Sequence, residues 1–73
     1  MMALQNYTRV RLLTDVYAAE GAQRGALGYI IEVYDDGAYE VEFSHPDGVT
    51  YAQIVAREDD LAVDEPQPNG AAA

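Results

Sequence analysis

The chain contains no cysteine, no lysine and no tryptophan. The absence of cysteine excludes disulfides, thiol catalysis and thiolate zinc sites. No apolar run approaches the roughly 18 residues that a membrane-spanning helix needs. The N-terminal stretch MMALQNYTRV also lacks the basic and apolar regions of a secretory signal. We therefore expect a cytoplasmic protein with no membrane partner and no cofactor.

Positive charge is scarce as well. Four arginines face 13 carboxylates, and the formal net charge is -9. Proteins that bind nucleic acids neutralise phosphates with lysine and arginine, so this balance predicts no nucleic-acid partner. An acidic chain suits a basic protein partner, or is acidic only for solubility. The composition leaves both explanations open.

The length of 73 residues allows a single domain. A chain of this size buries only about 60% of the surface that its unfolded form exposes, so its stability is expected to be marginal. An oligomer or a partner would supply further burial. The apolar fraction of 49% is ordinary for a folded domain and argues against general disorder.

Alternating apolar and polar residues predict a protein made of short strands. We expect a loose lead-in over residues 1–7, one domain over 8–64 and a disordered tail over 65–73, where prolines and a glycine occur without periodicity. A long polar loop with one helical turn follows the first strand. A single 3₁₀ or helical turn is predicted at REDD, residues 57–60, before a last short strand at 61–63.

The turn Asp35–Gly37 fixes the predicted register of the central hairpin. A three-residue loop pairs Val33 with Tyr39 and, further along, Ile31 with Val41 and Tyr29 with Phe43, which gives one wholly apolar face. This register requires Gly37 in the left-handed conformation. The opposite face would carry three glutamates together with an exposed isoleucine and a tyrosine: Glu32, Glu40, Glu42, Ile30 and Tyr34.

These five residues are the candidate partner-binding site. Arg9 and Arg11 lie on the outward face of the first predicted strand. They would reduce the repulsion between the three glutamates if they lay close to them. The alternative is that charge on a small sheet only discourages edge-to-edge aggregation. A groove for proline-rich peptides is a weaker alternative, because the first loop offers only Tyr17.

We find no catalytic or metal-ligating pattern. The one histidine, His45, lies in a turn near Ser44 and Asp47, and consecutive turn residues point apart rather than forming a triad. The acidic runs at 35–36 and 58–60 lack the alternating spacing of a calcium loop. The sequence therefore predicts a protein that is not an enzyme.

The segment RGALGYIIEVYDDGAYEVEF carries a resemblance to a known family. With VRLLTDV before it and EDDLAV after it, this pattern resembles a family of small bacterial SH3-like proteins of unknown function, over about residues 8–63. The element Gly25-x-x-Gly28-x-Ile30 is also similar to KOW-like barrels, but the basic loops with which those bind RNA are missing. The resemblance implies an all-β, five-stranded SH3-like barrel and an accessory or antitoxin-like binding role.

From these observations we predict a non-catalytic protein-binding module. Its most concrete form is an antitoxin or immunity-type protein that neutralises a basic, toxin-like protein through the acidic face. The alternative is an accessory or stabilising subunit of a larger enzyme complex.

Overall fold

The computed structural model describes residues 4–64, and these form one antiparallel sheet. Its five strands are β1 (Arg9–Leu12), β2 (Leu27–Val33), β3 (Ala38–Ser44), β4 (Thr50–Arg57) and β5 (Leu61–Val63). Two 3₁₀ turns, Ala18–Glu20 and Glu58–Asp60, lie after β1 and before β5. The predicted all-β class, the five strands and the 3₁₀ turn before the last strand are confirmed. The predicted tail over 65–73 lies outside the described residues.

The order of the strands is β4-β3-β2-β1-β5, so the first and last strands of the chain are neighbours. The inner face of the sheet is apolar, and its largest fully buried side chains are Phe43, Leu12, Ile30, Ile54, Val10 and Val41. No polar or charged side chain of the described residues is buried. Stability therefore depends mainly on this one apolar cluster.

Residues 4–7 precede β1 without regular secondary structure and contact the sheet at two points. Leu4 lies against the core, and its N–H donates to the Tyr39 hydroxyl at 3.2 Å. The Tyr7 N–H donates to the Ile30 carbonyl at 2.6 Å. An apolar side chain and two hydrogen bonds thus connect this lead-in to the sheet. Residues 1–3 lie outside the described part of the chain.

The two tight hairpins share one loop geometry. The Tyr34 N–H donates to the Ala38 carbonyl across the loop Asp35–Gly37, and the His45 N–H donates to the Val49 carbonyl across the loop 46–48. In each loop the third residue is a glycine with positive φ, 88° at Gly37 and 92° at Gly48. The predicted three-residue loop and left-handed Gly37 are confirmed.

A β-bulge changes the predicted register of β2. Glu32 pairs with Glu40 and Val33 with Tyr39, as predicted, but Ile30 rather than Ile31 pairs with Val41. Ile31 is thus an extra residue on β2, and every residue before it points to the opposite face from the one predicted. The same strand brings Gly28 into the core, where it lies against the ring of Phe43.

Candidate functional site

The outer face of β2, β3 and β4 brings the three predicted glutamates together. Glu32 and Glu40 are directly opposite one another, and Glu42 follows two residues later on the same face of β3. Like charges in opposite positions repel. The three carboxylates nevertheless lie side by side along the centre of the sheet. Glu32, Glu40 and Glu42 together are called the acidic strip.

Hydrogen bonds hold two of the three carboxylates in place. Glu40 accepts from the Tyr34 hydroxyl at 2.5 Å and from the Gln53 side-chain amide at 2.8 Å. Glu42 accepts from the Thr50 hydroxyl at 2.6 Å. None of the three donors is charged, so these hydrogen bonds add no positive charge to the strip. Tyr34 thus lies at the end of the strip, as predicted.

The hydrogen bond to Glu40 also affects Tyr34. It raises the pKa of the Tyr34 phenol, chiefly because the phenolate would lose this donor bond, and the nearby charges of Glu40 and Glu32 act in the same direction. Tyr34 therefore remains a neutral donor at physiological pH.

The prediction that Ile30 is an exposed apolar anchor is wrong. Ile30 is 0% exposed and packs in the core, because the bulge at Ile31 reverses the facing of the preceding residues. Tyr29, predicted for the core, is 49% exposed and lies opposite Glu42 on the outer face. Val55, opposite Glu40, is 54% exposed. The sequence analysis missed Tyr29 and Val55 as the apolar neighbours of the acidic strip.

Three arginines lie near the acidic strip on the outer face of the sheet. Arg9 and Arg11 lie on β1, and both form ion pairs with Asp64, at 3.8 and 3.3 Å. Arg57 ends β4 on the same side of the sheet. Among the described residues, neither Arg11 nor Arg57 forms an ion pair with a glutamate of the strip. Asp64 thus holds both arginines of β1, and the ion-pair partner of Arg11 is Asp64 rather than the glutamates considered from the sequence.

The surroundings of His45 fit a turn residue. Its ring packs against Tyr51, with 4.6 Å between the ring centroids. The Asp47 carboxylate accepts the Val49 N–H at 3.0 Å and so stabilises the turn. The histidine is thus packed on an aromatic ring, and the aspartate near it is used by the backbone.

An open depression of about 230 Å³ lies between the first loop and β4, lined by Gly21, Gln23, Arg24, Ala26 and Tyr51.

Across the described residues no group of three or more histidines or carboxylates is arranged to hold a metal ion. A search of the same residues finds no helix with the length and apolar character to span a bilayer.

Comparison with known proteins gives one family and no characterised relative. No curated protein and no solved structure matches the chain. A family model described as a domain of unknown function (DUF4926) matches residues 7–63, which include every described strand. The chain belongs to this DUF4926 family.

Proposed function

We propose that this protein is a non-catalytic binding module that holds a basic protein against the outer face of its sheet. The observation that carries the proposal is the composition of that face: three carboxylates lie beside the exposed side chains of Tyr29 and Val55 across three strands. No described element packs on this surface. Carboxylates between exposed aromatic and aliphatic groups suit a partner that presents arginine or lysine among apolar side chains.

The fixed carboxylates favour this use of the face. Glu40 is held by two neutral donors and Glu42 by one, so a partner cation would meet oxygens that are already oriented. Preorganised groups lose less side-chain entropy on binding. The remaining negative charge of the chain would attract a basic partner over longer distances and raise the association rate more than the affinity.

The finer description of the fold belongs to the same proposal. We infer an SH3-like barrel, supported by the long first loop, the two three-residue turns and the 3₁₀ turn before the last strand. Its most concrete biological role would be that of an antitoxin or immunity-type protein in the cytoplasm, neutralising a basic toxin. The opposite charge of the two proteins is the chemistry that would bring them together.

A second candidate is an accessory subunit that stabilises a larger enzyme. The exposed Tyr29 and Val55 favour it as well, since a permanent interface is more apolar than a transient one. The two candidates differ in the effect of salt. A complex based on the acidic strip weakens as the Debye length falls from about 14 Å at 0.05 M salt to about 4 Å at 0.5 M, whereas a permanent apolar interface persists.

Two double charge reversals test the proposal. After capture of a partner by the tagged protein from its own cells, the partner's affinity is measured for Glu40→Lys with Glu42→Lys and for a matched control, Asp35→Lys with Asp59→Lys. Both pairs change the net charge equally, but the control residues lie in the hairpin turn and in the second 3₁₀ turn. We expect the strip variant to lose at least about tenfold more affinity than the control. Equal losses would refute the assignment of the strip as the binding site.

A further inference from the structure

The outer face differs from the rest of the molecule in its charge. It carries the arginines Arg9, Arg11 and Arg57 and the carboxylates Glu32, Glu40, Glu42 and Asp64. Three positive and four negative groups leave a formal charge of -1 on this face, whereas the whole chain carries -9. Two copies that meet through these faces therefore bring together far less charge than the net charge of the chain suggests.

An apolar column runs along β2 at the centre of the face. Leu27 and Tyr29 point outward from this strand and are 44% and 49% exposed. Leu27 lies opposite Arg11, and Tyr29 lies opposite Arg9. Exposed apolar side chains that neighbour one another on a sheet are a common mark of an interaction surface.

The charges on the two sides of this column are opposite and evenly spaced. Arg9 pairs with Tyr29 on β1, and Tyr29 pairs with Glu42 on β3, so all three residues lie in one row across the sheet. Neighbouring strands are about 4.8 Å apart. Arg9 and Glu42 therefore stand at equal distances on either side of Tyr29.

We propose that a second copy of this chain binds this face, in a dimer whose two-fold axis runs along β2 between the two sheets. Rotation about that axis places Arg9 of each copy over Glu42 of the other and stacks Leu27 and Tyr29 on their own copies. It also brings the two Glu32 side chains together, so two Arg9–Glu42 contacts stand against one like-charge contact. Two-fold interfaces require this self-complementarity, in which residue i meets j and j meets i. Asp64 orients the Arg9 side chain, which remains 36% exposed.

The dimer goes beyond the proposed function and would compete with it. A basic partner and a second copy would occupy the same surface, so self-association would occur when the partner is absent. The dimer does not require that such a partner exists, and its failure would leave the binding proposal intact.

Charge exchange between two variants tests the dimer. The wild type, Arg9→Glu and Glu42→Arg are studied separately by sedimentation equilibrium over about 10–500 μM at roughly 0.15 M salt, where the Debye length is about 8 Å. We expect the wild type to dimerise and each variant to dimerise at least about tenfold more weakly, because each creates two like-charge contacts.

An equimolar mixture of the two variants provides the decisive measurement. In a mixed dimer the glutamate introduced at position 9 meets the arginine introduced at position 42, and the native Arg9 meets the native Glu42. We expect dimerisation to return to the wild-type level. Urea unfolding of each variant tests whether it is folded. Asp47→Arg, in the turn at 46–48, changes the net charge as Glu42→Arg does and is the control for that variant. A monomeric wild type, or a mixture that stays monomeric, would overturn the proposal.

Discussion

The ring of Phe43 fills the space that a side chain on Gly28 would need. A methyl group at position 28 would lie 2.8 Å from Phe43 Cδ1 and 2.7 Å from the carbonyl oxygen of Glu42. Both distances are far shorter than ordinary contacts. The absence of a side chain at this position leaves room for the ring of Phe43, the largest fully buried side chain of the core, to pack against β2.

Gly28→Ala should therefore destabilise the protein strongly for a change of one methyl group. Overpacking of this kind costs about 1–3 kcal/mol, and we expect a value near the upper end because one of the obstructing atoms belongs to the backbone. Urea unfolding gives the difference. If the ring is the obstacle, Gly28→Ala and Phe43→Leu together should cost at least about 0.5 kcal/mol less than the sum of the single changes. Strict additivity would contradict this.

The two hairpin glycines should respond to substitution in the same way. At Gly37 a methyl group would meet only the Arg57 side chain, at 3.7 Å, and at Gly48 it would meet nothing within 4 Å. Alanine at either position should thus cost about 1–2 kcal/mol through the left-handed backbone alone. Asparagine tolerates this conformation and should cost clearly less. Equal losses for alanine and asparagine would show that backbone conformation is not the cause.

Tyr17 should make stability depend on pH in the alkaline range. Its hydroxyl donates to Asp60 Oδ2 at 2.7 Å, between the first loop and the second 3₁₀ turn. Burial, followed by this hydrogen bond, raises the pKa of Tyr17. A raised pKa in the folded state stabilises the protein fully below the unfolded value of about 10, and this contribution is lost as the pH rises through the folded value.

Tyr17→Phe provides the measurement. At pH 7 we expect it to cost about 1–2 kcal/mol, as for a hydrogen bond to a charged group. Above pH 10 the difference in unfolding free energy between the wild type and the variant should shrink, because the wild-type tyrosine ionises. Tyr51→Phe, on β4, serves as a control for the removal of a tyrosine hydroxyl elsewhere in the sheet. A constant difference for Tyr17→Phe from pH 7 to pH 11 would contradict the role of the hydrogen bond.

Much of the fold could be predicted from local patterns in the sequence. The alternation in AYEVEF, residues 38–43, fixed the facing of β3, and the Asp-Gly and Pro-Asp-Gly stretches gave both turns. The pairing of Glu32 with Glu40 followed from the loop length. These features depend on neighbouring residues and on turn chemistry, so a single sequence contains them.

The facing of Tyr29 and Ile30 could not be predicted in this way. Tyr29, Ile30 and Ile31 are consecutive apolar residues, and such a run is compatible with either face. The bulge is decided by the fit of Gly28 against Phe43 and by the Tyr7 N–H, which bonds the Ile30 carbonyl. Both are long-range contacts. The spacing of Gly28 and Ile30, two residues apart, places both on one face of a strand and could have indicated the inner face.

The extra residue at Ile31 has a consequence for how this chain tolerates changes in length. Between Gly28 and Asp35 the number of residues is fixed, because losing or adding one would exchange the inner and outer side chains of the first half of β2 and move Ile30 out of the core. The loop between β1 and β2 has no such constraint at its exposed positions. Insertions, fused peptides or labels should therefore be kept out of the β2 segment, which should retain its length in any engineered version.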